Sequence, residues 1–272
     1  MQKLEASLML EKSVPSLLLI ICLVGLPQLS ETIYSPALPA VTQGLQTSSH
    51  LVQWSLSIYF IGFAAGVALW GKLSDHLGRK PIMLLGLGLY VAFSLLCGAA
   101  SSIGVLLFAR FFQAFGISVG SVITQSIMRD CFTGARRNQI FSLAGMAIAL
   151  APALGPVMGG YLTEQFSWRT NFVCLSLLGT MLFGYSLLKL PETREVTHIQ
   201  QSTPFITLLR RMLQDKHIIA TTLLVGGFNG ILFGYYSAAP YIFIDLYHMS
   251  EQNFGLLGIF MIFHLSIKKL VL

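Results

Sequence analysis

Apolar residues fall in blocks at about 16–40, 51–70, 82–100, 104–127, 139–162, 170–190 and 217–244, with polar residues held mostly to the joints. A helix needs roughly 20 apolar residues to cross the hydrocarbon core of a bilayer, so the pattern predicts seven spanning helices. An eighth block begins near Phe254 and meets Lys268 and Lys269 after about 14 residues, too short for a full crossing without tilt or bilayer thinning. The fold class expected is therefore an all-α membrane protein. The longest polar stretch between blocks, Pro191 to Lys216, divides the chain. It separates a six-helix bundle at 1–190 from a loop at 191–216 and from an incomplete second bundle at 217–272, made of a seventh helix and a short eighth. Within the loop, Phe205 to Leu213 reads either as a short amphipathic helix on the membrane surface or as a solvated linker.

Composition agrees with the blocks. Of the residues, 54% are hydrophobic and 10% charged, and the mean hydropathy is +0.72. That leaves too little polar surface to cover a soluble globule. The first block is followed by more of the same, without a small-residue cleavage site, so it is expected to stay as a helix rather than to be removed. The net charge of +6 reads as basic residues kept in cytoplasmic loops, with no call for nucleic acid. With the N-terminus in the cytoplasm, 15 of the 17 lysines and arginines face inward. Arg169 alone faces outward, and Arg110 lies inside a span. Cys22, Cys97, Cys131 and Cys174 lie in or beside apolar blocks, without metal-ligand spacing, and read as small buried hydrophobes.

Candidate chemistry sits in three places. The joint GKLSDHLGRKP, residues 71–81, carries Asp75 among basic residues and between Gly71 and Gly78. That arrangement suits a tight turn with an ion pair at helix ends. In the fifth block, Gly145, Ala149, Pro152, Pro156 and Gly159 recur at offsets of four and three, which puts small residues on one helix face for close packing. Ionisable groups inside a membrane point to function, and there are two. Glu31 lies about 22 Å along the first helix and Arg110 about 9 Å in from the outer end of the fourth, so a pair between them is geometrically open. Snorkelling to the interface competes as an explanation for Arg110. For Glu31 the alternatives are an acid at a helix end loosened by Pro36 and Pro39, or a proton carrier, since apolar surroundings disfavour the charged form of a carboxyl group.

Gly71, Leu73, Asp75, Gly78, Arg79 and Lys80 resemble the loop signature between the second and third helices of the major facilitator superfamily. His76 stands where that signature usually has arginine, which makes the charge at this position depend on pH. The resemblance implies a cytoplasmic gate, at Gly71, Asp75, Gly78, Arg79 and Lys80, that opens and closes in each transport cycle. Gly155, Pro156, Gly159 and Gly160 match the GPxxGG signature of the superfamily's exporters, where this helix lies between the two halves. RFFQAFG resembles the fourth-helix signature, whose arginine takes part in proton coupling, with Ala114 in place of the usual glycine. SETIYSPALP resembles the first-helix motif of the Bcr/CflA drug-resistance subfamily, although Thr32 holds that motif's aspartate position and Glu31 its threonine position. SIMRD, SWRTNF, LPETR and YYSAAPYIF repeat the likeness, which runs from about residue 16 to 263.

The resemblance implies a major facilitator fold and proton-coupled efflux of small amphipathic xenobiotics by alternating access, in the cell's inner membrane. The proton gradient is the energy source, with no cofactor and no metal. Glu31 and Arg110 are the proton-coupling candidates; Tyr34, Gln113, Asn229, Tyr235 and Tyr236 are the substrate-cavity candidates. Members of the superfamily have about twelve helices in two bundles. Here FGLLGIFMIF looks like an eighth helix and HLSIKKLVL has no such likeness. The competing expectation is a truncated, non-transporting remnant, or a chain completed by a second polypeptide. Nothing points to an enzyme: there is no nucleophile elbow, phosphate loop or paired-carboxylate site, and the six histidines lie near block ends, in joints or in the tail.

Overall fold

The computed structural model describes residues 14–194 and 205–258. The expectations placed on Lys3, Lys12, His198, His264 and the tail from 259 onward lie outside those residues. The first span is α1 (Leu17–Thr32), a 3-10 turn (Ser35–Ala37) and α2 (Leu38–Gly44). Five long helices follow: α3 (Ser49–Leu77), α4 (Arg79–Gly98), α5 (Ile103–Cys131), α6 (Gly134–Gln165) and α7 (Trp168–Lys189). The short α8 (Phe205–Gln214) leads to α9 (Lys216–Pro240), which runs on as a π-helical segment, Tyr241–Leu246. Residues 251–258 are helical again. Among the described residues, seven helical segments are long and apolar enough to cross a membrane, and there is no strand.

Polar residues set the helix boundaries. Ser16, Ser48, Ser102 and Ser167 each accept a backbone N–H from the first turn of the helix that follows, and Asp215 does the same for His217 and Ile218 at the start of α9. Such caps satisfy donors that a helix start leaves free. Helices run past the apolar blocks because capping, not hydropathy, ends them. α3 continues through Lys72 and Asp75 to Leu77, and Gly78, at φ +103°, breaks it. The stretch at 205–213 is helical, with Arg210 and Arg211 exposed, so the plain-linker alternative does not hold there.

Lipid tails are as apolar as leucine, so helices in a bilayer associate through close packing at small residues. α5 packs against α1, α3 and α4, which approach it through glycines. A Cβ on Gly62 would strike the Phe111 backbone, and one on Gly66 the Ser118 hydroxyl and the Phe115 backbone. Gly86 and Gly116 bring α4 and α5 together, and Gly120 lies against the Leu23 backbone of α1. Antiparallel succession gathers Lys72, Arg79, Lys80, Arg129, Arg136, Arg137, Lys189 and Arg194 at one end of the bundle, called here the basic end.

Candidate functional site

Arg110 is fully buried at the centre of the bundle. Its guanidinium carbon lies 4.2 Å from the centroid of Tyr59, 4.8 Å from Tyr34 and 5.8 Å from Phe172, rings drawn from α3, the first span and α7. Nη1 donates to Gln113 Oε1 at 2.7 Å, and Gln113 Nε2 donates to Ser94 Oγ at 2.8 Å. Among the described residues, Nε and Nη2 have no hydrogen-bond partner. Arg110 therefore does not snorkel. Ring faces carry its charge instead, each worth up to about 2 kcal/mol when desolvated.

Glu31, near the end of α1, is 8% exposed. With Gln28, Phe60, Phe63, Asn229 and Phe233 it lines a cavity of about 370 Å³ between the first span, α3 and α9. Glu31 and Arg110 form no ion pair: Arg110 Nη1 is bonded to Gln113, and neither Nε nor Nη2 reaches the carboxylate. Of the side chains expected around a substrate, Asn229 borders this cavity, its Nδ2 donating to Val225 O at 2.9 Å. Tyr34 and Gln113 are sealed beside Arg110. Tyr236 is buried and donates to Pro152 O at 3.0 Å, with Tyr235 half-buried beside it.

At the basic end Arg79 joins three segments. Nη1 donates to Asp75 Oδ1 at 2.6 Å and to Ser74 Oγ at 2.7 Å, and Nε donates to Asp130 Oδ2 at 3.2 Å. Glu192, beyond α7, accepts the backbone N–H groups of Arg79 and Lys80 at 2.9 and 3.1 Å, at the start of α4. Arg194 returns the contact by donating to His76 O at 2.6 Å. Partial burial opposes the charge on Glu192, but backbone donors at Arg79, Arg194, Lys80 and Thr193 outweigh it and hold the carboxyl below its usual range. Gly78 makes this possible: besides its left-handed φ, a Cβ there would come within 2.6 Å of Glu192 Oε2.

At the other end a polar seam ties the first six spans to α9 and the residues after it. Ser35 Oγ donates to Tyr236 O at 2.6 Å, and the hydroxyls of Thr42 and Tyr241 lie 2.9 Å apart. Glu164 Oε2 accepts the N–H of Gln252 at 2.9 Å. α6 lies between both partners: a Cβ on Gly155 or Gly159 would strike Thr32 or Ile33 of the first span, and one on Gly160 the Glu251 backbone, while Gly255 abuts Pro156 O. Two of the five stripe residues do not pack in this way. Gly145 has nothing within 4 Å and Ala149 is exposed.

The profile of the Major Facilitator Superfamily matches residues 20–268. The chain belongs to the major facilitator superfamily. That family is one of transporters, not enzymes. A protein of Rickettsia bellii named "Uncharacterized transporter" is 37% identical over 245 residues, covering 90% of this chain and 61% of its own length. Multidrug resistance protein D of Escherichia coli is 28% identical, with 81% and 56% covered, and a bicyclomycin resistance protein homolog of Haemophilus influenzae is 27% identical, with 85% and 58% covered. The chain thus spans about three fifths of the length of these relatives. Among solved structures, an inward-facing bacterial homolog of the human lysosomal transporter Spinster superposes with a TM-score of 0.72 at 17% identity, over 88% of this chain and 57% of that one. A D-xylose–proton symporter gives 0.66 at 15% identity, over 89% and 63%. These two share the fold.

Within the superfamily framework, the sequence pointed to Gly71, Asp75, Gly78, Arg79 and Lys80, but not to Asp130, Glu192 and Arg194 as their partners. The signal was present in SIMRD and LPETR, which carry an acid at the end of α5 and an acid and a base just past α7. Alternating topology brings all of those ends to the basic end. The rings of Tyr59 and Phe172 around Arg110 carried no signal, since every span contains aromatic residues and nothing in the sequence singles these two out.

Proposed function

We propose that the chain is the substrate-handling part of a proton-coupled exporter of small amphipathic compounds, working by alternating access. The observation that carries this reading is Glu31 on the wall of a cavity that three phenylalanines also line, with Arg110 buried in the same bundle. A carboxylate in such a place is neutralised either by a proton or by a cationic substrate, so the two exclude each other and their fluxes are coupled. Phe60, Phe63 and Phe233 supply apolar contact and Gln28 and Asn229 a few polar ones, the balance expected of a permissive small-molecule site. The fixed charge of Arg110 sets the field in which the carboxyl titrates, and its Nη2 is free to receive the carboxylate in another conformation. The drug-resistance names of the relatives support the substrate class.

The reading includes an N-terminus on the cytoplasmic side, from the charge asymmetry, which makes the Asp75–Arg79 cluster the cytoplasmic gate and the seam at Glu164 the outer closure. It also includes further helices, on the same or a second polypeptide, packed on residues 216–230 of α9, which are exposed along their length. The test is proton-driven dye efflux in everted vesicles with the protein in its working assembly. Glu31→Gln is expected to abolish the pH-gradient dependence, and Arg110→Gln to lower the rate. Gradient-driven efflux that survives both substitutions sinks the proposal.

A further inference from the structure

On the side of α1 facing away from the cavity, a groove of about 550 Å³ lies between α1, α6 and α7. Every lining side chain except Tyr185 is apolar, among them Cys22, Leu26, Leu150, Leu154 and Met181. It exists because α1 and α7 do not close on each other. At the seam of α4 and α5 a Cβ on Gly116 would meet Tyr90 N at 2.7 Å, whereas one on Gly25 would meet nothing within 4 Å.

Three observations identify what fills it. Its outer side chains, Leu150, Leu154 and Met181, are exposed on helices long and apolar enough to span a membrane, and the medium around such helices is hydrocarbon. Along α1 it runs from Ile21 to Leu29, about 12 Å at 1.5 Å per residue, close to the ~15 Å depth of one leaflet. Its mouth at the basic end is polar: Ser16 Oγ and Tyr185 OH are hydrogen-bonded at 2.7 Å, and Lys189 stands exposed one turn beyond. Tyrosine hydroxyls sit at the headgroup level of a membrane, and a lysine ammonium pairs with phosphate as a point charge.

We infer that this groove is a binding site for one acyl chain of a phospholipid from the leaflet at the basic end, with the lipid phosphate at Ser16, Tyr185 and Lys189. The chain stands behind the helix that carries the cavity acid. Leu26 and Leu29 face the groove while Gln28 and Glu31 face the cavity, with Pro27 between them. The lipid therefore props the wall of the site without entering it.

The test uses the full chain in nanodiscs doped with a phosphatidylethanolamine that carries a diazirine on one acyl chain, with adducts mapped by mass spectrometry. Adducts are expected to concentrate on Leu150, Leu154 and Met181. Gly25→Leu, which grows into open space, is expected to reduce them about tenfold, the effect of losing contacts worth ~1.4 kcal/mol. Gly104→Leu, which also grows into open space but at the exposed start of α5, leaves them unchanged. Met181→Trp fills the groove from α7 and repeats the loss independently of any fault in Gly25→Leu. Replacing Ser16 by Ala and Lys189 by Gln together lowers adduct yield while keeping the same positions. Adducts spread evenly over the lipid-facing helices, or unchanged in both filled variants, overturn the proposal. So does a chain-to-chain disulfide through Met181→Cys in the absence of adducts, which makes the occupant protein.

Discussion

Glu164, in the last turn of α6, accepts the backbone N–H of Gln252 at 2.9 Å, so a carboxylate from the first six spans caps a helix that follows α9. A negative charge at a helix start is worth about 0.3–1 kcal/mol at an exposed position. Glu164→Ala is therefore expected to raise the population with this seam open by roughly two- to fivefold. Spin labels on the exposed Phe166 and Tyr247 report the seam as a distance distribution. An identical distribution in the variant refutes the expectation.

Arg79 is 12% exposed, while Asp75 is 60% and Asp130 29% exposed. The nearer pair is thus the better solvated one, and exposed ion pairs contribute only about 0–1 kcal/mol. Asp75→Asn is expected to change the detergent melting temperature little, Asp130→Asn more, and Arg79→Lys most. Lysine is a point charge on a flexible stem and cannot hold Ser74, Asp75 and Asp130 in a fork. A fall in melting temperature for Asp75→Asn as large as that for Arg79→Lys contradicts the ranking.

Glu192 supplies a pH dependence whose sign is fixed. Its folded carboxyl is held below the usual range by the backbone donors of Arg79, Arg194, Lys80 and Thr193 acting against partial burial. Its stabilisation is therefore fully present above the ordinary glutamate value of about 4.3 and is lost as pH falls through the lowered folded value. Melting temperature measured from neutral to acid pH should show an acid loss that Glu192→Gln reduces. Parallel curves for the two proteins rule the linkage out.

Much of the fold was legible because the bilayer imposes length. The seven spans lie where the apolar blocks are, and only their ends moved, as at Leu77 and Gly134, where capping and a left-handed glycine decide. The basic residues marked one end of the bundle for the same reason. What stayed hidden depends on the angle around a helix axis rather than on depth along it. Glu31 and Arg110 were placed at similar depth, yet Arg110 turns into a box of rings and Glu31 onto a cavity wall. Tyr34 and Gln113 followed Arg110 inward for the same reason. Glu192 and Gly78 are remote in sequence and meet only once α7 has returned to the basic end.

The small-residue stripe of α6 gives the sharpest contrast between a pattern and a contact. Gly145 and Gly159 belong to the same stripe on the same helix, but a Cβ on Gly145 meets nothing within 4 Å and one on Gly159 would run into the Ile33 carbonyl. Alanine at 145 removes a flexible residue from a helix interior and is expected to be neutral, or stabilising by up to about 1 kcal/mol. Alanine at 159 must push α6 off the first span, at a cost of roughly 1–3 kcal/mol or more. Because Gly155 and Gly160 hold the two sides of the same helix, that displacement also loosens the seam at Gln252. Gly159→Ala should therefore lower the melting temperature and broaden the Phe166–Tyr247 distance distribution together, and Gly145→Ala should do neither. If the two variants behave alike, the close approach of α6 to Ile33 does not hold these segments together.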